Sequence, residues 1–259
     1  MPEGDTVFRE ARSLGDALRG SELTRSDIRV PEWATVDLTG QTVRDVASRG
    51  KHILIRTDSV SVHSHLKMEG SWHLYRHGTT WKRPAFQARI VLETLDWAAV
   101  GFDLGVLELM PRAEEDHRLG HLGPDLLGAD WDADDAVRRL ASQPIVPVAV
   151  ALADQRNLAG LGNVYVNELC FLRGLRPARA IGDVADLPAL VHLAHRLMQA
   201  NRYRAERTTT GNTRRGGRLW VYSRDRQPCR RCGARITRAQ IGRSELELRD
   251  TYWCPRCQT

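Results

Sequence analysis

Lysine is almost absent from this chain of 259 residues, in which only Lys51, Lys67 and Lys82 accompany 35 arginines. Because an arginine presents a planar fork and a lysine a compact charge, a lysine at a functional position is a specific choice. The sequence also lacks an apolar run of roughly 20 residues, which excludes a helical membrane span. No signal or targeting segment precedes the first amphipathic stretch, so we expect a cytoplasmic protein without a membrane partner.

Cysteine is scarce too, but four of the five cysteines are paired by their spacing. Cys229 and Cys232 form one Cys-x2-Cys pair, Cys254 and Cys257 form a second, and 21 residues separate the two pairs. This spacing predicts one tetrahedral zinc site with four thiolate ligands. Two disulfides would use the same residues, but a reducing compartment disfavours them. Cys170 lies in an apolar helical stretch, and we expect it to be a small buried side chain.

Positive charge is concentrated at one end of the chain. Residues 201–259 carry 15 arginines against five acidic residues, a net charge of +10, which leaves residues 1–200 at −4. A basic face is often only a solvated surface, yet this one also contains Trp220, Tyr222, Tyr252 and Trp253. Cations for phosphates combined with aromatic rings for stacking favour nucleic acid as the partner.

The first half of the chain reads as one helix followed by short strands. Apolar residues recur at helical spacing over residues 5–19, and Gly20 is a typical stop. Alternating β-type runs follow at 42–46, 52–56, 60–65, 72–75 and 88–92. They predict a β-sandwich or a barrel-like domain. The segment 111–130 has weak periodicity and is the candidate linker.

The second half reads as helical, and Asp132 is a good N-cap for its first helix. Helices are predicted at 133–143, 146–154, 164–173 and 188–201, with a glycine-containing turn at 155–163 between the second and third. Strands are predicted around 220–222 and in the cysteine module. The turn Gly160-Leu161-Gly162-Asn163 would let backbone amides approach a phosphate, with Asn163 capping the next helix. A plain helix–turn–helix corner is the alternative.

Several residues near the start of the chain have reactive or polar side chains. Removal of Met1 would leave Pro2 with a secondary amine whose pKa lies near about 8, able to attack a carbonyl carbon. Glu3 places a carboxylate beside it for acid–base work, although acidic residues in a first turn also simply stabilise helices. Arg49-Gly50-Lys51 opens a predicted strand, where Lys51 could reach a phosphate or sugar oxygen.

A second polar segment, His65-Leu66-Lys67-Met68-Glu69-Gly70, ends a predicted strand in a turn. The flexible Met68 can fill irregular space, whether in a partner or against the core of the protein itself. His63 and His65 share one face of the strand and suggest a metal, but no third ligand has helpful spacing, so structural roles are favoured.

Taken together, these motifs resemble the formamidopyrimidine-DNA glycosylase/endonuclease VIII family of base-excision repair enzymes. The resemblance rests on Pro2-Glu3-Gly4, Arg49-Gly50-Lys51, the turn at 155–163 with Glu168 beyond it, and the cysteine module with its terminal Gln258. It spans nearly the whole chain in the family's order. It implies an α+β protein of two domains, with an N-terminal β-sandwich flanked by helices. The C-terminal helical domain would carry a helix-two-turn-helix motif and a four-cysteine β-hairpin zinc finger.

The resemblance also implies domain bounds. The catalytic β-sandwich would occupy residues 1–112, a linker 113–130, the helix-two-turn-helix domain 131–225 and the zinc finger 226–259. One structural zinc ion is expected. The partner would be damaged double-stranded DNA, with single-stranded or forked DNA left open, and the protein would act as a monomer associated with the bacterial nucleoid through DNA.

In such enzymes an N-terminal proline attacks C1′ of a flipped nucleotide, displaces the base and forms an imine, after which elimination nicks the strand. Pro2 would be that nucleophile, with Glu3 assisting proton transfer and Lys51 holding phosphate. Glu168 resembles a catalytic-site acid. The remaining family positions are DNA contacts: Asn163 and Arg249 as phosphate clamps, and Met68, flanked by Lys67, as the wedge that fills the vacated stack.

Departures from the family pattern bear on substrate and on site geometry. The zinc loop is longer than usual, Asp250 follows Arg249 where a small residue is normal, and Asp5-Thr6 replaces a Pro-Glu pair. The purine-excising branch has an Arg-and-Phe pair that is missing around residues 102–108, and its base-capping loop is shortened here to 208–218. These losses favour the endonuclease VIII branch and oxidised pyrimidines.

Three other functions remain open at this point. A non-catalytic zinc protein that recognises damaged DNA would bind with steep salt dependence but form no imine. Within the family, an enzyme acting mainly on abasic sites, or an oxidised-purine glycosylase, would carry the same motifs.

Overall fold

The computed structural model describes residues 2–259. Met1, whose removal the predicted chemistry requires, lies outside the described residues. The chain divides into two compact units, and the boundary along the chain falls between His121 and Leu122, within the segment 113–130. No helix in the described part of the chain combines the length and apolarity needed to cross a bilayer.

The first unit begins with the predicted helix, α1 (Gly4–Leu18). Its apolar residues at three- and four-residue intervals, including Val7, Leu14 and Leu18, are almost completely buried. Past its end, Gly20 adopts a φ of +80°, a conformation that glycine adopts without steric cost. The helix is therefore fixed by one apolar face and stopped by one glycine.

Eight strands form two antiparallel four-stranded sheets, in the orders β1-β6-β7-β5 and β2-β3-β4-β8. The strands are β1 (Arg25–Ile28), β2 (Asp45–Arg49), β3 (His52–Arg56), β4 (Val60–His65), β5 (Ser71–Arg76), β6 (Ala88–Glu93), β7 (Trp97–Phe102) and β8 (Val106–Pro111). One apolar cluster contains buried residues from α1 and from both sheets. This confirms the β-sandwich.

The strand predicted at 42–46 begins later in the structure, where β2 runs from Asp45 to Arg49. The amide of Thr42 donates to a carboxylate oxygen of Asp58 at 2.7 Å, so it is not available to a strand partner. A short helix, α2 (Glu115–Leu119), follows β8. The Glu115 carboxylate in this helix accepts hydrogen bonds from the Arg56 guanidinium, at 2.7 Å, and from Ser61. The helix is thereby attached to β3 and β4.

The second unit contains four further helices and one hairpin. They are α3 (Ala133–Ala141), α4 (Val148–Ala153), α5 (Asn163–Leu172), α6 (Leu187–Asn201), β9 (Thr237–Ile241) and β10 (Arg249–Trp253). The Asp132 carboxylate accepts from the amide of Asp135 at 2.9 Å, which confirms it as the N-cap of α3. The helix α5 is buried from Asn163 to Phe171 and forms the centre of this unit.

The prediction of a strand around residues 220–222 is wrong. The amides of Trp220, Val221 and Tyr222 donate to the carboxylate of Glu168 rather than to a neighbouring strand. The predicted hairpin of the cysteine module is present, with β9 and β10 paired antiparallel from Arg249 opposite Ile241 to Trp253 opposite Thr237.

Candidate active site and nucleic-acid-binding residues

Pro2 and Glu3 lie immediately before α1. Pro2 is half-buried, whereas Glu3 is completely buried. Glu3 has an extended backbone, and its carbonyl accepts from the amides of Thr6 and Val7, which starts the helix. The first turn therefore holds the main chain beside Pro2 rigidly and encloses a carboxylate next to it.

Lys51 lies in the tight turn between β2 and β3. It directly precedes β3, which coincides with the strand predicted at 52–56. Gly50 beside it has a φ of +58°, a left-handed conformation that favours glycine. The turn is closed by the pairing of Arg49 with His52. Lys51 is thus presented at the tip of a hairpin.

Beside this hairpin tip, His52 on β3 contacts two histidines of β4, His63 and His65. His52 Nδ1 lies 2.8 Å from His63 Nε2, and the rings of His52 and His65 are 4.9 Å apart between centroids. Burial lowers the pKa of His52 to about 3, with further lowering by the neighbouring His65 and His63. Burial likewise lowers the pKa of His65 to about 4, and the charges of Lys67 and Lys51 add to this effect. Both rings are neutral near pH 7, and both lysines lie close enough to act on His65.

Sequence reasoning missed His52. It stands directly opposite His65 in the antiparallel pairing of β3 and β4, so the register of the predicted hairpin was the signal that could have found it. His63 also has a carboxylate neighbour, Glu108, with Nδ1 and Oε2 3.3 Å apart. Among the described residues, the only group of three or more side chains arranged to hold a metal ion is the four cysteines.

The predicted wedge residue, Met68, is exposed over 62% of its surface, in a turn closed by a hydrogen bond of 2.9 Å from the Gly70 amide to the Leu66 carbonyl. Lys67 has a φ of +54°, and its amide donates to His65 Nδ1 at 2.9 Å. A side chain at position 70 would collide with the Leu66 carbonyl, since an added Cβ would lie 2.4 Å from that oxygen. The turn is therefore rigid while its apolar tip points outward.

Arg83 fastens this turn to the sheet, and sequence reasoning gave no sign of it. Its guanidinium donates to the carbonyl of Glu69 and to the hydroxyl of Ser71, each at 3.1 Å. It also donates to the Gln87 side chain at 3.2 Å and pairs with the Asp103 carboxylate. One side chain thus connects the Met68 turn, β5 and the short connection between β7 and β8.

The turn between α4 and α5 is organised by Gln155. Its Oε1 accepts from the amide of Gly160, and its Nε2 donates to the carbonyls of Ala153 and Leu161. Asn163 is the first residue of α5 and not its cap; Gly162 holds the cap position without a side-chain hydrogen bond. The predicted capping role of Asn163 is therefore wrong.

The Asn163 side chain instead reaches the β9–β10 hairpin of the cysteine module. Its Nδ2 donates to the main-chain carbonyl of Asp250 at 2.7 Å, one residue after Arg249. One turn further along α5, Asn167 Oδ1 accepts from the amide of Tyr252. The Asp250 carboxylate pairs with Arg238 on β9 at 2.9 Å. The structure therefore brings the two predicted phosphate clamps, Asn163 and Arg249, to the same helix–hairpin junction.

The four cysteines of the C-terminal module converge. All four Sγ atoms lie within 4.8 Å of one another, and the amide of Arg231 donates to Cys229 Sγ at 3.4 Å. Four sulfur donors at this spacing can hold one metal ion, and an all-sulfur set suits a soft or borderline cation.

Glu168 and Cys170 are both fully buried in α5, as expected for Cys170. The Glu168 carboxylate is surrounded by donors from the same unit.

Comparison with known proteins identifies relatives along the whole chain. Residues 1–103 match the family model described as the formamidopyrimidine-DNA glycosylase N-terminal domain. The DNA-(apurinic or apyrimidinic site) lyase Nei2 of Mycolicibacterium smegmatis is 52% identical, with 100% of this chain and 99% of the relative covered. A probable endonuclease 8 2 of Streptomyces coelicolor is 53% identical, with coverage of 100% and 94%. The formamidopyrimidine-DNA glycosylase of Acidiphilium cryptum is 33% identical, with coverage of 100% and 98%.

The fold is shared with solved structures at lower sequence identity. One, described as MutM in complex with carbocyclic 8-oxo-G containing DNA, has a TM-score of 0.82 at 22% identity and covers 100% of both chains. Relatives named Nei2 or endonuclease 8 2 share about half of all positions, more than the formamidopyrimidine-DNA glycosylase of Acidiphilium cryptum does. The chain belongs to the formamidopyrimidine-DNA glycosylase/endonuclease VIII family, on its endonuclease VIII side.

Proposed function

We propose that this chain, as a DNA glycosylase and abasic-site lyase of base-excision repair, removes oxidised bases through an imine formed by Pro2. The observation that carries the proposal is the start of α1, where Pro2 precedes a rigid first turn and a buried Glu3. This arrangement occurs in a chain that is 52% identical, over its full length, to a relative named as an abasic-site lyase.

The reaction follows from the chemistry of a secondary amine. The Pro2 nitrogen attacks C1′ of the flipped nucleotide, the C1′–base bond breaks, and the base leaves with a proton. The C1′–O4′ bond of the sugar ring then breaks, O4′ takes a proton, and the resulting iminium at C1′ makes the C2′ hydrogens acidic. Loss of one of them breaks the bond from C3′ to the phosphate oxygen, and a second elimination breaks the C5′–oxygen bond. Water then releases the sugar fragment and restores the amine.

Three side chains assist this sequence in our proposal. Glu3 moves a proton at the sugar ring during base loss and imine formation, because its carboxylate is enclosed beside Pro2. Lys51, at the tip of the β2–β3 hairpin, holds a phosphate and stabilises the opened sugar. His65 adds no positive charge beside Lys51, since burial lowers the pKa of His65 to about 4.

We propose that each unit carries residues that bind DNA. Asn163 can bind a phosphate while it supports Asp250, because a side-chain amide nitrogen carries two hydrogens and the hairpin takes one. Arg249, the first residue of β10, binds a second phosphate. In the first unit Met68 enters the stack that the flipped base leaves, with Lys67 beside it, because the apolar tip of its turn is exposed.

A single structural zinc ion in the four-cysteine site would hold the hairpin that carries Arg249. We assign catalysis to residues 1–112, with 113–130 as linker. The helix-two-turn-helix domain would be 131–225 and the zinc finger 226–259. The protein would act as a cytoplasmic monomer on damaged double-stranded DNA.

Oxidised pyrimidines are the proposed substrate class. The connection between β7 and β8 consists of Asp103-Leu104-Gly105, which does not supply the Arg-and-Phe pair of the purine-excising branch. A panel of duplex and single-stranded oligonucleotides tests the assignment, with 5-hydroxycytosine, thymine glycol, 8-oxoguanine or an abasic site. Preferential cutting at 8-oxoguanine would overturn it, and cutting at the abasic site alone would indicate a dedicated lyase.

Trapping with borohydride tests the nucleophile. Protein with Met1 removed is incubated with abasic-site duplex and borohydride, and the cross-linked peptide is mapped by mass spectrometry. We expect a covalent complex at Pro2. Protein carrying an N-terminal tag should bind DNA but form no complex, whereas the same tag at the C-terminus serves as the control. Tight, salt-dependent binding without trapping would instead support a non-catalytic damage-recognition protein.

A further inference from the structure

The carboxylate of Glu168 has no capacity left for a substrate. The residue is completely buried in α5. Oε2 accepts from the Thr209 hydroxyl and from the amide of Trp220 at 2.7 Å, and Oε1 accepts from the amides of Val221 and Tyr222 at 2.9 Å each. A carboxylate offers about four acceptor positions, so these donors fill it.

The four donors come from both ends of one loop. Thr209 stands at the beginning of the segment 208–218, and Trp220 to Tyr222 follow its end. Between them the chain folds back on itself, with the amides of Thr209 and Thr210 both donating to the carbonyl of Arg218. The Thr210 hydroxyl donates to the Gly217 carbonyl at 2.8 Å. We call residues 208–210 and 217–222 the neck, and residues 211–216, which are exposed, the tip.

Other contacts of the neck depend on the same arrangement. The indole of Trp220 donates to the carbonyl of Thr209 at 3.2 Å, and its ring stacks on Phe171 with centroids 5.3 Å apart. The Arg231 guanidinium of the cysteine module lies over the Phe171 ring at 4.5 Å. The neck thus joins α5 to the module that follows it, and Glu168 lies at the centre of this junction.

A buried carboxylate is costly unless donors surround it. Burial raises the pKa of Glu168, and each of the four hydrogen bonds acts in the opposite direction. The geometry is that of an anchor for main-chain amides. A proton donor or acceptor in catalysis would need an oxygen directed at the reacting atoms, and both oxygens here are directed at the neck.

We propose that Glu168 is a positioning residue that holds the neck of the loop 208–218, so that the tip is presented preformed to the flipped base, and that it transfers no proton. This replaces the role as a catalytic-site acid that the family resemblance implied. The inference rests on the proposed function, in which the loop occupies the place of the base-capping loop. The tip presents Arg214 and Arg215, two exposed cations, to the damaged nucleotide.

The test separates loop order from chemistry with three variants. In Glu168→Gln the amide nitrogen must face two of the four donors, which disrupts the neck. Thr209→Val removes one donor, and Thr209→Ser keeps it as the conservative rescue. Glu32→Gln, at an exposed position in the first unit, is the matched control.

Loop order is read without DNA, by the rate of trypsin cleavage after Arg214 and Arg215. Loss of the buried bonds should raise this rate about tenfold in Glu168→Gln and less in Thr209→Val, with Thr209→Ser and the control unchanged. Cleavage of a duplex carrying an oxidised pyrimidine should fall about tenfold in Glu168→Gln, whereas trapping and cleavage at a preformed abasic site stay within about twofold.

Two results would overturn the inference. Unchanged trypsin cleavage in both Glu168→Gln and Thr209→Val would show that the carboxylate does not hold the loop. Equal loss of base excision and abasic-site cleavage in Glu168→Gln, with the loop intact, would indicate proton transfer. If Glu168→Gln does not fold, Thr209→Val against Thr209→Ser decides by the same readouts. Absence of all activity in the wild type would remove the proposed function but leave the trypsin test standing.

Discussion

The side-chain amide of Asn163 donates a hydrogen bond to the main-chain carbonyl of Asp250, with 2.7 Å between nitrogen and oxygen. The contact joins the first residue of α5 to the β10 strand 87 positions further along the chain. It makes the position of Arg249 depend on two supports, the helix on one side and the cysteine module on the other. Both supports can be removed separately.

Removal of the proposed zinc ion should weaken DNA binding. Without an ion, no bond links the four Sγ atoms, and the hairpin loses the centre that fixes it. We expect the dissociation constant for abasic-site duplex to rise at least about tenfold after chelation, equivalent to about 1.4 kcal/mol, and to recover when zinc is restored. Unchanged binding after metal loss verified by elemental analysis would contradict the proposal.

Substitution of Asn163 should weaken the second support. Asn163→Ala removes the donor to Asp250, and we expect the free energy of unfolding to fall by about 1–2 kcal/mol. Asn163→Asp should cost more, because a carboxylate would face the Asp250 carbonyl. Denaturant unfolding and DNA titration measure the two effects, with Gln199→Ala on α6 as control. An aspartate variant as stable as the wild type would show that this hydrogen bond does not support the hairpin.

Substitution of Arg83 should loosen the Met68 turn. Arg83→Met keeps the aliphatic stem but removes the bonds to Glu69, Ser71 and Asp103, so we expect unfolding to become about 1–3 kcal/mol easier. Cleavage of a lesion in duplex DNA should fall about fivefold, whereas cleavage of an abasic site in single-stranded DNA, where no stack must be filled, stays unchanged.

Arg83→Lys should recover part of the loss. The matched control is Arg76→Met on β5, an arginine that lies over the ring of Trp97 and is largely exposed. Equal losses on duplex and single-stranded substrates would mean that Arg83 acts on general stability and not on the wedge.

Glu10 on α1 gives stability an opposite pH dependence to that of an ordinary carboxyl group. Burial raises the pKa of Glu10 from 4.5 to about 7, against the lowering effect of the Trp72 amide. The folded state therefore prefers the protonated form. Its contribution is complete below pH 4.5 and is lost as the pH rises through 7.

Glu10→Gln should remove this loss. Relative to the wild type, the variant should gain about 1–3 kcal/mol in unfolding free energy between pH 4.5 and pH 7.5, measured by denaturant unfolding across the range. Glu32→Gln, at an exposed position, should show no such gain. A difference between Glu10→Gln and wild type that stays constant with pH would exclude the raised pKa.

Local patterns in the sequence were sufficient for much of the fold. The helix α1 follows from apolar spacing, and the N-cap at Asp132 follows from residue type, because both depend on neighbours within a few positions. The prediction of a strand at 42–46 was displaced because the structure there depends on a contact that is distant in sequence. Asp58, 16 positions away, takes the amide of Thr42, and no local pattern records that bond.

The site is harder to predict because its supports are distant in sequence. Glu168 binds residues 41 to 54 positions away, and Arg83 reaches Asp103 across 20 positions. Neither residue type nor spacing indicates such partners. His52 is the intermediate case, since a predicted hairpin with a correct register would have placed it opposite His65.

The Met68 turn separates shape from chemistry. Its outline is set by the Leu66–Gly70 hydrogen bond, by Arg83, and by the absence of a side chain at Gly105, where an added Cβ would lie 2.1 Å from Lys67 Cγ. Met68 itself takes no part in that framework. Position 68 can therefore be exchanged for other side chains while the backbone stays in place, which makes this turn a ready scaffold for redesigning which distortion of the double helix the enzyme favours.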